Sequence, residues 1–261
     1  MQSKLLSTTG ILCLTLFAFS ACKDDHYAIE EPSVGSESDT AFIKTIQFES
    51  EDGLLITADH YHSKNTATTI VLCHQAGWSR GEYREIAPKL NALGFNCLAI
   101  DQRSGSTVNG VTNETAIRAL DEGKSTAYID AKQDINAAIA KVKELYGNKV
   151  ILWGSSYSSA LALIVATENQ DVEQVLSFSP GEYLGAVKVG ESITTLNKPA
   201  FLASAKNERA QTKLLYDAIG SAEKTHFIPI GNGEHGSRAL WEEKTDNAEY
   251  WEAVKAFLGV E

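Results

Sequence analysis

From residue 43 onward, apolar positions fall into short dense runs separated by longer, striped segments. Residues 43–50 and 54–61 read as strands, joined by Glu51-Asp52-Gly53. An Asp-Gly between two such runs predicts a hairpin. Residues 69–73 and 95–100 are short, continuous apolar runs, the pattern of strands covered on both faces. Between them, residues 83–93 carry Ile86, Leu90 and Leu93 at helical spacing and stop at Gly94. Residues 127–146 predict a long helix with Ile135, Ile139, Val142 and Leu145 on one stripe, ended by Gly147. Strands at 150–153, 172–178, 200–204 and 226–230 then alternate with helices at 157–168, 209–219 and 247–258. No internal repeat is present.

A hairpin followed by strand–helix units predicts an α/β protein. Its expected core is a mostly parallel eight-stranded sheet, antiparallel at its N-terminal edge, with helices on both faces. Ligands of such sheets bind beyond the carboxyl ends of the strands. Those ends are where reactive side chains are sought.

The first residues follow a different pattern. A short basic start and an apolar run from Gly10 to Ala21 describe a secretory signal, too short to span a membrane. Phe19-Ser20-Ala21-Cys22 resembles the end of a bacterial lipoprotein signal, cleaved before a lipidated cysteine. Phe19 stands where such signals usually have Leu. Lys23-Asp24-Asp25 resembles the acidic tag of surface lipoproteins of the Bacteroidota type. The expectation is a signal peptide over residues 1–21 and a lipid anchor at Cys22. A polar, acidic tether is expected over 22–40 and a folded domain over 41–261. The protein is then held at the cell envelope, on the periplasmic or surface face of the outer membrane. A plain secreted protein is the alternative.

Composition narrows the partners. The chain of 261 residues is 43% hydrophobic and 22% charged, with net charge −11. That suits a folded domain and disfavours nucleic acid or an anionic lipid surface as a partner. Of four cysteines, Cys13 lies in the signal and Cys22 at the lipidation site. Cys73 and Cys97 fall in buried strands and read as small core residues.

Candidate chemistry sits at the predicted strand ends. Trp153-Gly154-Ser155-Ser156-Tyr157-Ser158 joins a strand to a helix in a pattern close to G-x-S-x-G. A nucleophile at so tight a turn needs small residues two positions away on each side. Gly154 and Ser158 provide them around Ser156, whereas Ser155 would have Trp153 and Tyr157 there. A serine-rich helix cap is the plainer reading. The turn offers the Tyr157 N–H to an oxyanion. His74-Gln75-Ala76-Gly77, after the strand at 69–73, offers a second N–H, Ala76 first and Gln75 next.

Among six histidines, His235 lies in the glycine-rich Gly231-Asn232-Gly233-Glu234-His235-Gly236, after the last strand, and is the candidate base. His26 falls in the tether. His60 and His62 share a strand face without an obvious third metal ligand, and read as surface or packing residues. His226 reads as packing. Glu208, after the strand at 200–204, is the candidate acid; a surface residue at a helix start is its alternative. The order Ser156, Glu208, His235 is that of one hydrolase fold.

These segments carry a resemblance. Residues 43–258 resemble the α/β-hydrolases, nearest the dienelactone hydrolase-like branch. The likeness rests on His74-Gln75-Ala76-Gly77, Asp101-Gln102-Arg103-Ser104-Gly105, the turn around Ser156, Ser179-Pro180-Gly181 and Gly233-Glu234-His235-Gly236. It implies a serine hydrolase acting on a carboxylic ester or related acyl group. Three departures stand out: Ser158 for a glycine, Glu208 for the usual Asp with Asn207 beside it, and Gln75 for a glycine. The first is tolerable; the other two keep open a catalytically impaired binding protein on this scaffold. About twenty residues between 178 and 199 leave no room for a large cap, and residues 102–126 are the candidate rim loop. Trp78, Tyr157 and Tyr183 are candidate lining residues. A peptidase of this fold would carry an additional gating domain, for which the chain has no room. No nucleotide loop or metal cluster is apparent, so no cofactor is expected.

Overall fold

The computed structural model describes residues 40–261. The predicted signal peptide, Cys22, His26 and the tether up to residue 39 lie outside the described residues.

Strands β1 (Phe42–Glu49) and β2 (Leu55–His62) form the expected antiparallel hairpin, with Gly53 at φ 77° in its turn. Next come β3 (Thr69–Cys73), α1 (Ile86–Ala92) and β4 (Asn96–Ile100). A small hairpin of β5 (Thr107–Val108) and β6 (Val111–Thr112) leads to α2 (Glu114–Asp121) and α3 (Ala131–Tyr146). The remaining order is β7 (Val150–Ser155), α4 (Tyr157–Glu168), β8 (Val172–Phe178), α5 (Val189–Ser192) and β9 (Ala200–Ala203). It closes with α6 (Arg209–Ala218), β10 (Lys224–Phe227) and α7 (Asn247–Leu258). The eight-stranded sheet runs β1-β2-β4-β3-β7-β8-β9-β10, antiparallel as far as β4 and parallel beyond it. Strand β4 lies between β2 and β3, so β3 and β7 become central. Their ends hold the His74-Gln75-Ala76-Gly77 loop and the serine turn side by side.

Alternation along the central strands divides the core. Val71, Cys73, Leu98, Ile100 and Leu152 face α3 and α4, with Ile135, Ile139 and Leu161. Ile70, Leu72, Cys97, Ala99 and Trp153 face α1 and α7, with Ile86, Leu90, Tyr250 and Val254. Cys73 and Cys97 are free, buried and on opposite faces, which forbids a disulfide. No described helix is long and apolar enough to cross a membrane.

Several boundaries differ from the sequence pattern. The helix expected from residue 83 begins as a 3-10 turn, Arg80–Tyr83, with α1 following at Ile86. A similar turn, Tyr128–Asp130, precedes α3. Leu145 is exposed, and Tyr146 occupies the inward position, because helical rotation carries the stripe from Val142 to 146. The last strand ends at Phe227, leaving Ile230 exposed. The expected rim loop contains α2, hidden from pattern reading because Ile117 and Leu120 point outward. Its start is marked by Asn113, whose Oδ1 accepts the Ala116 N–H at 2.7 Å. His60 and His62 are both buried and meet the Tyr146 hydroxyl at 2.6 and 2.7 Å, so they pack rather than lie at the surface. His226 is half-buried against Tyr216. The β8–β9 connection holds only the one-turn α5, so no large cap covers the sheet ends.

Candidate active site

Ser156 sits between β7 and α4 with φ 57° and ψ −121°, a positive-φ conformation that residues with side chains rarely adopt. The turn is tight enough that a Cβ on Gly154 would lie 2.4 Å from the Ser158 carbonyl oxygen and 2.5 Å from the Ser159 Cα. Position 154 therefore requires glycine. Position 158 tolerates serine because its hydroxyl is used. It accepts the Ser155 N–H at 3.0 Å and lies within 2.8 Å of the Cys73 and His74 carbonyls. That contact binds the serine turn to the end of β3.

His235 reaches this serine from the loop after β10. Its Nε2 lies 2.8 Å from Ser156 Oγ, and its Nδ1 lies 2.5 Å from Glu208 Oε1. Glycines flank the ring: Gly233 and Gly236 have φ of 68° and 73°. Glu208 enters from the turn between β9 and α6. Burial pushes its carboxyl upward, but the bonds from His235 and Ser179 outweigh this and hold it below the usual carboxylate value. Asn207 is exposed and points away from this role.

Ser179 is a site residue that sequence reasoning missed. It follows β8 at φ 55°, donates to Glu208 Oε2 at 2.6 Å and accepts the Gly236 N–H at 2.9 Å. Its hydroxyl therefore orients the carboxylate and anchors the residue after His235. The Ser179-Pro180-Gly181 segment was visible in the sequence, but nothing local paired it with Glu208.

The oxyanion expectation needs one correction. The Gln75 N–H is not free, because it donates to Glu82 Oε2 at 2.8 Å. The N–H groups of Ala76 and Tyr157 have no acceptor among the described residues. The direction of the Ala76 N–H follows from its peptide plane. The Gln75 carbonyl accepts His74 Nδ1 at 2.8 Å and the Trp78 N–H at 3.3 Å. In a trans peptide the Ala76 N–H points the opposite way. His74 is held in one tautomer, since its Nε2 faces the Gln102 N–H at 3.0 Å and Asn113 Nδ2 at 3.1 Å. Burial lowers its pKa to about 4, so the ring stays neutral. Glu82, in the Arg80–Tyr83 turn, also escaped the sequence reading, because a charged stretch gives no sign of burial.

Around the site, Tyr157 is buried and stacks on the half-exposed Tyr128 with centroids 4.2 Å apart. Trp78 stacks on Trp241 at 5.3 Å. The Tyr183 hydroxyl accepts Gln211 Nε2 at 3.2 Å. No cluster of three metal-ligating side chains occurs among the described residues.

Comparison with known proteins gives a consistent picture. An esterase of Pyrococcus furiosus superposes with a TM-score of 0.66 at 17% identity, over 84% of this chain and 92% of that one. A dienelactone hydrolase of Anabaena variabilis gives 0.67 at 16%, over 84% and 97%. An acylaminoacyl peptidase of Pyrococcus horikoshii gives 0.62 at 15%, over 84% of this chain but 41% of that longer one. At these identities the likeness establishes the fold. No curated protein matches the chain in sequence. The family model described as serine aminopeptidase, S33, matches residues 64–201, just over half of the chain. The chain is an α/β-hydrolase enzyme and belongs to the serine aminopeptidase S33 family.

Proposed function

We propose that the protein cleaves a carboxylic ester or related acyl substrate, in the manner of the dienelactone hydrolase-like branch, through Ser156, His235 and Glu208. The observation that carries this reading is the unbroken hydrogen-bonded chain from Ser156 Oγ through His235 to Glu208, at 2.8 and 2.5 Å. Ser156 Oγ attacks the acyl carbon as its proton passes to His235 Nε2. Glu208 keeps the Nδ1 proton in place and stabilises the imidazolium. The developing oxyanion lies between the N–H groups of Tyr157 and Ala76. His235 returns its proton to the leaving alkoxide, then takes one from the water that hydrolyses the acyl-enzyme and gives it to the departing Ser156 Oγ. An impaired binding protein would leave His235 out of reach of both partners, which these distances oppose.

A fluorophosphonate probe is expected to label the wild type and not Ser156→Ala. A panel of p-nitrophenyl esters of increasing chain length, with aminoacyl p-nitroanilides beside them, defines the substrate. Ester turnover that vanishes in Ser156→Ala supports the reading. Faster turnover of the anilides than of any ester would overturn the ester assignment in favour of amide cleavage.

We further propose that Cys22 carries a lipid anchor that holds the domain at the cell envelope. The support is the Phe19-Ser20-Ala21-Cys22 boundary and the polar segment after it. Full-length protein expressed in a bacterium should sediment with membranes, and Cys22→Ala should be released.

A further inference from the structure

Glu82 is a fully buried carboxylate that takes no part in the proposed proton relay. Its Oε2 accepts the Gln75 N–H at 2.8 Å, and its Oε1 accepts the Ser155 hydroxyl at 2.6 Å. Ser155 Oγ in turn accepts the Ser237 N–H at 2.9 Å, two residues beyond His235. The Glu82 main-chain carbonyl accepts Trp241 Nε1 at 2.9 Å. One side chain thus joins the loop after β3, the turn after β7 and the loop that carries His235.

We propose that Glu82 is a positioning residue for the hydrolytic reaction. It fixes the Ala76 N–H through its bond to Gln75, and the spacing of Ser156 and His235 through Ser155. This rests on the serine hydrolase reading above. Both peptides of Gln75 are held: His74 and Trp78 hold its carbonyl, in the peptide that carries the Ala76 N–H, and Glu82 holds its N–H, in the peptide before. With Gln75 anchored, rotation of the loop cannot take the Ala76 N–H away from the oxyanion position. Gly236 packs equally closely, since a Cβ there would lie 2.5 Å from Ser155 Oγ.

A buried carboxylate is a costly way to fill space, and burial pushes this one up to about 7. An apolar side chain of the same volume avoids that cost but strands the Gln75 N–H and the Ser155 hydroxyl. A role in filling space alone and a role in positioning therefore predict different variants.

The test compares kcat and KM of wild type, Glu82→Gln and Glu82→Met on the best ester of the panel, with folding monitored by near-UV circular dichroism. Glu82→Met keeps the volume and removes the acceptor. Its kcat should fall about 10- to 100-fold while KM moves less than about threefold, because an oxyanion donor acts mainly in the transition state. Glu82→Gln retains a carbonyl for the Gln75 N–H and should recover most of that loss. If Glu82→Met does not fold, Glu82→Asp, which withdraws the acceptor by one methylene, carries the same expectation. A folded variant lacking the acceptor with kcat within about twofold of wild type overturns the proposal, as does a loss confined to KM. Both results leave the hydrolase reading intact. A wild type that turns over no ester and leaves Ser156 unlabelled overturns that reading, and the role of Glu82 with it.

Discussion

Ser156 is held in backbone angles that cost about 1–3 kcal/mol, and its neighbours pin it there. Gly154 removes the clash, and Ser158 fastens the turn to β3. Gly154→Ala should lower stability by about 1–3 kcal/mol in urea denaturation and slow fluorophosphonate labelling of Ser156, because the added methyl must push backbone aside. Glu208→Gln keeps the shape of the acid but removes its charge. Its kcat should fall about 10²- to 10⁴-fold with little change in KM, read from ester kinetics at neutral pH. Equal activity would remove Glu208 from the proposed reaction. Both residues were legible in the sequence, Gly154 from its spacing and Glu208 from its place after a strand. Ser179 and Glu82 were not. Each acts on a partner many residues away, and no local pattern marks a bond between residues 82 and 155 or between 179 and 208.

At the scale of elements, patterning succeeded where large apolar residues mark the buried side of an element and failed where small ones do. Helix α4, buried on nearly every side, matched its expected ends at Tyr157 and Glu168. Helix α2 was hidden, since its largest apolar residues face outward. It is held by Asn113, which caps it and also donates to His74 Nε2 and to the Gln102 carbonyl. Asn113→Ala should therefore cost more than an ordinary cap, about 2 kcal/mol or above in thermal or urea unfolding. It should also lower ester turnover, because His74 loses a partner that keeps its Nε2 an acceptor. A loss of stability with unchanged kcat would confine Asn113 to capping.

Across the whole molecule, buried histidines couple stability to pH. Burial, with His62 and Lys44 nearby, lowers His60 to about 4, and burial lowers His74 similarly. Between pH 6.5 and about 4 the unfolded chain therefore binds protons at these sites and the folded chain does not. Their contribution is complete above pH 6.5 and is lost as pH falls toward 4. Buried carboxylates oppose this: Asp101 and Asp134 are raised to about 6, so their contribution declines as pH rises from about 4 to 6. Substitution separates the two. His60→Gln, which can still bond the Tyr146 hydroxyl, should flatten the acid-side loss of stability by about 1–2 kcal/mol relative to wild type. Urea unfolding at pH 4.5 and 7 reads the difference. An unchanged slope would mean that His60 titrates alike in both states.

The amino-acid sequence by itself determined the alternation of strands and helices and the local chemistry at strand ends. Hydrophobic period, glycine stops and the small residues around Ser156 are properties of neighbouring residues. Tertiary structure alone decided which of those ends meet. The crossing of β4 to lie between β2 and β3 brings the β3 and β7 ends together. The order β7-β8-β9-β10 carries His235 back to Ser156, 79 positions earlier in the chain, and the fold of the β3–α1 connection takes the Gln75 N–H out of use by giving it Glu82. Hydrogen-bond partners depend on distance in space, and a buried donor takes whichever acceptor the packed chain supplies.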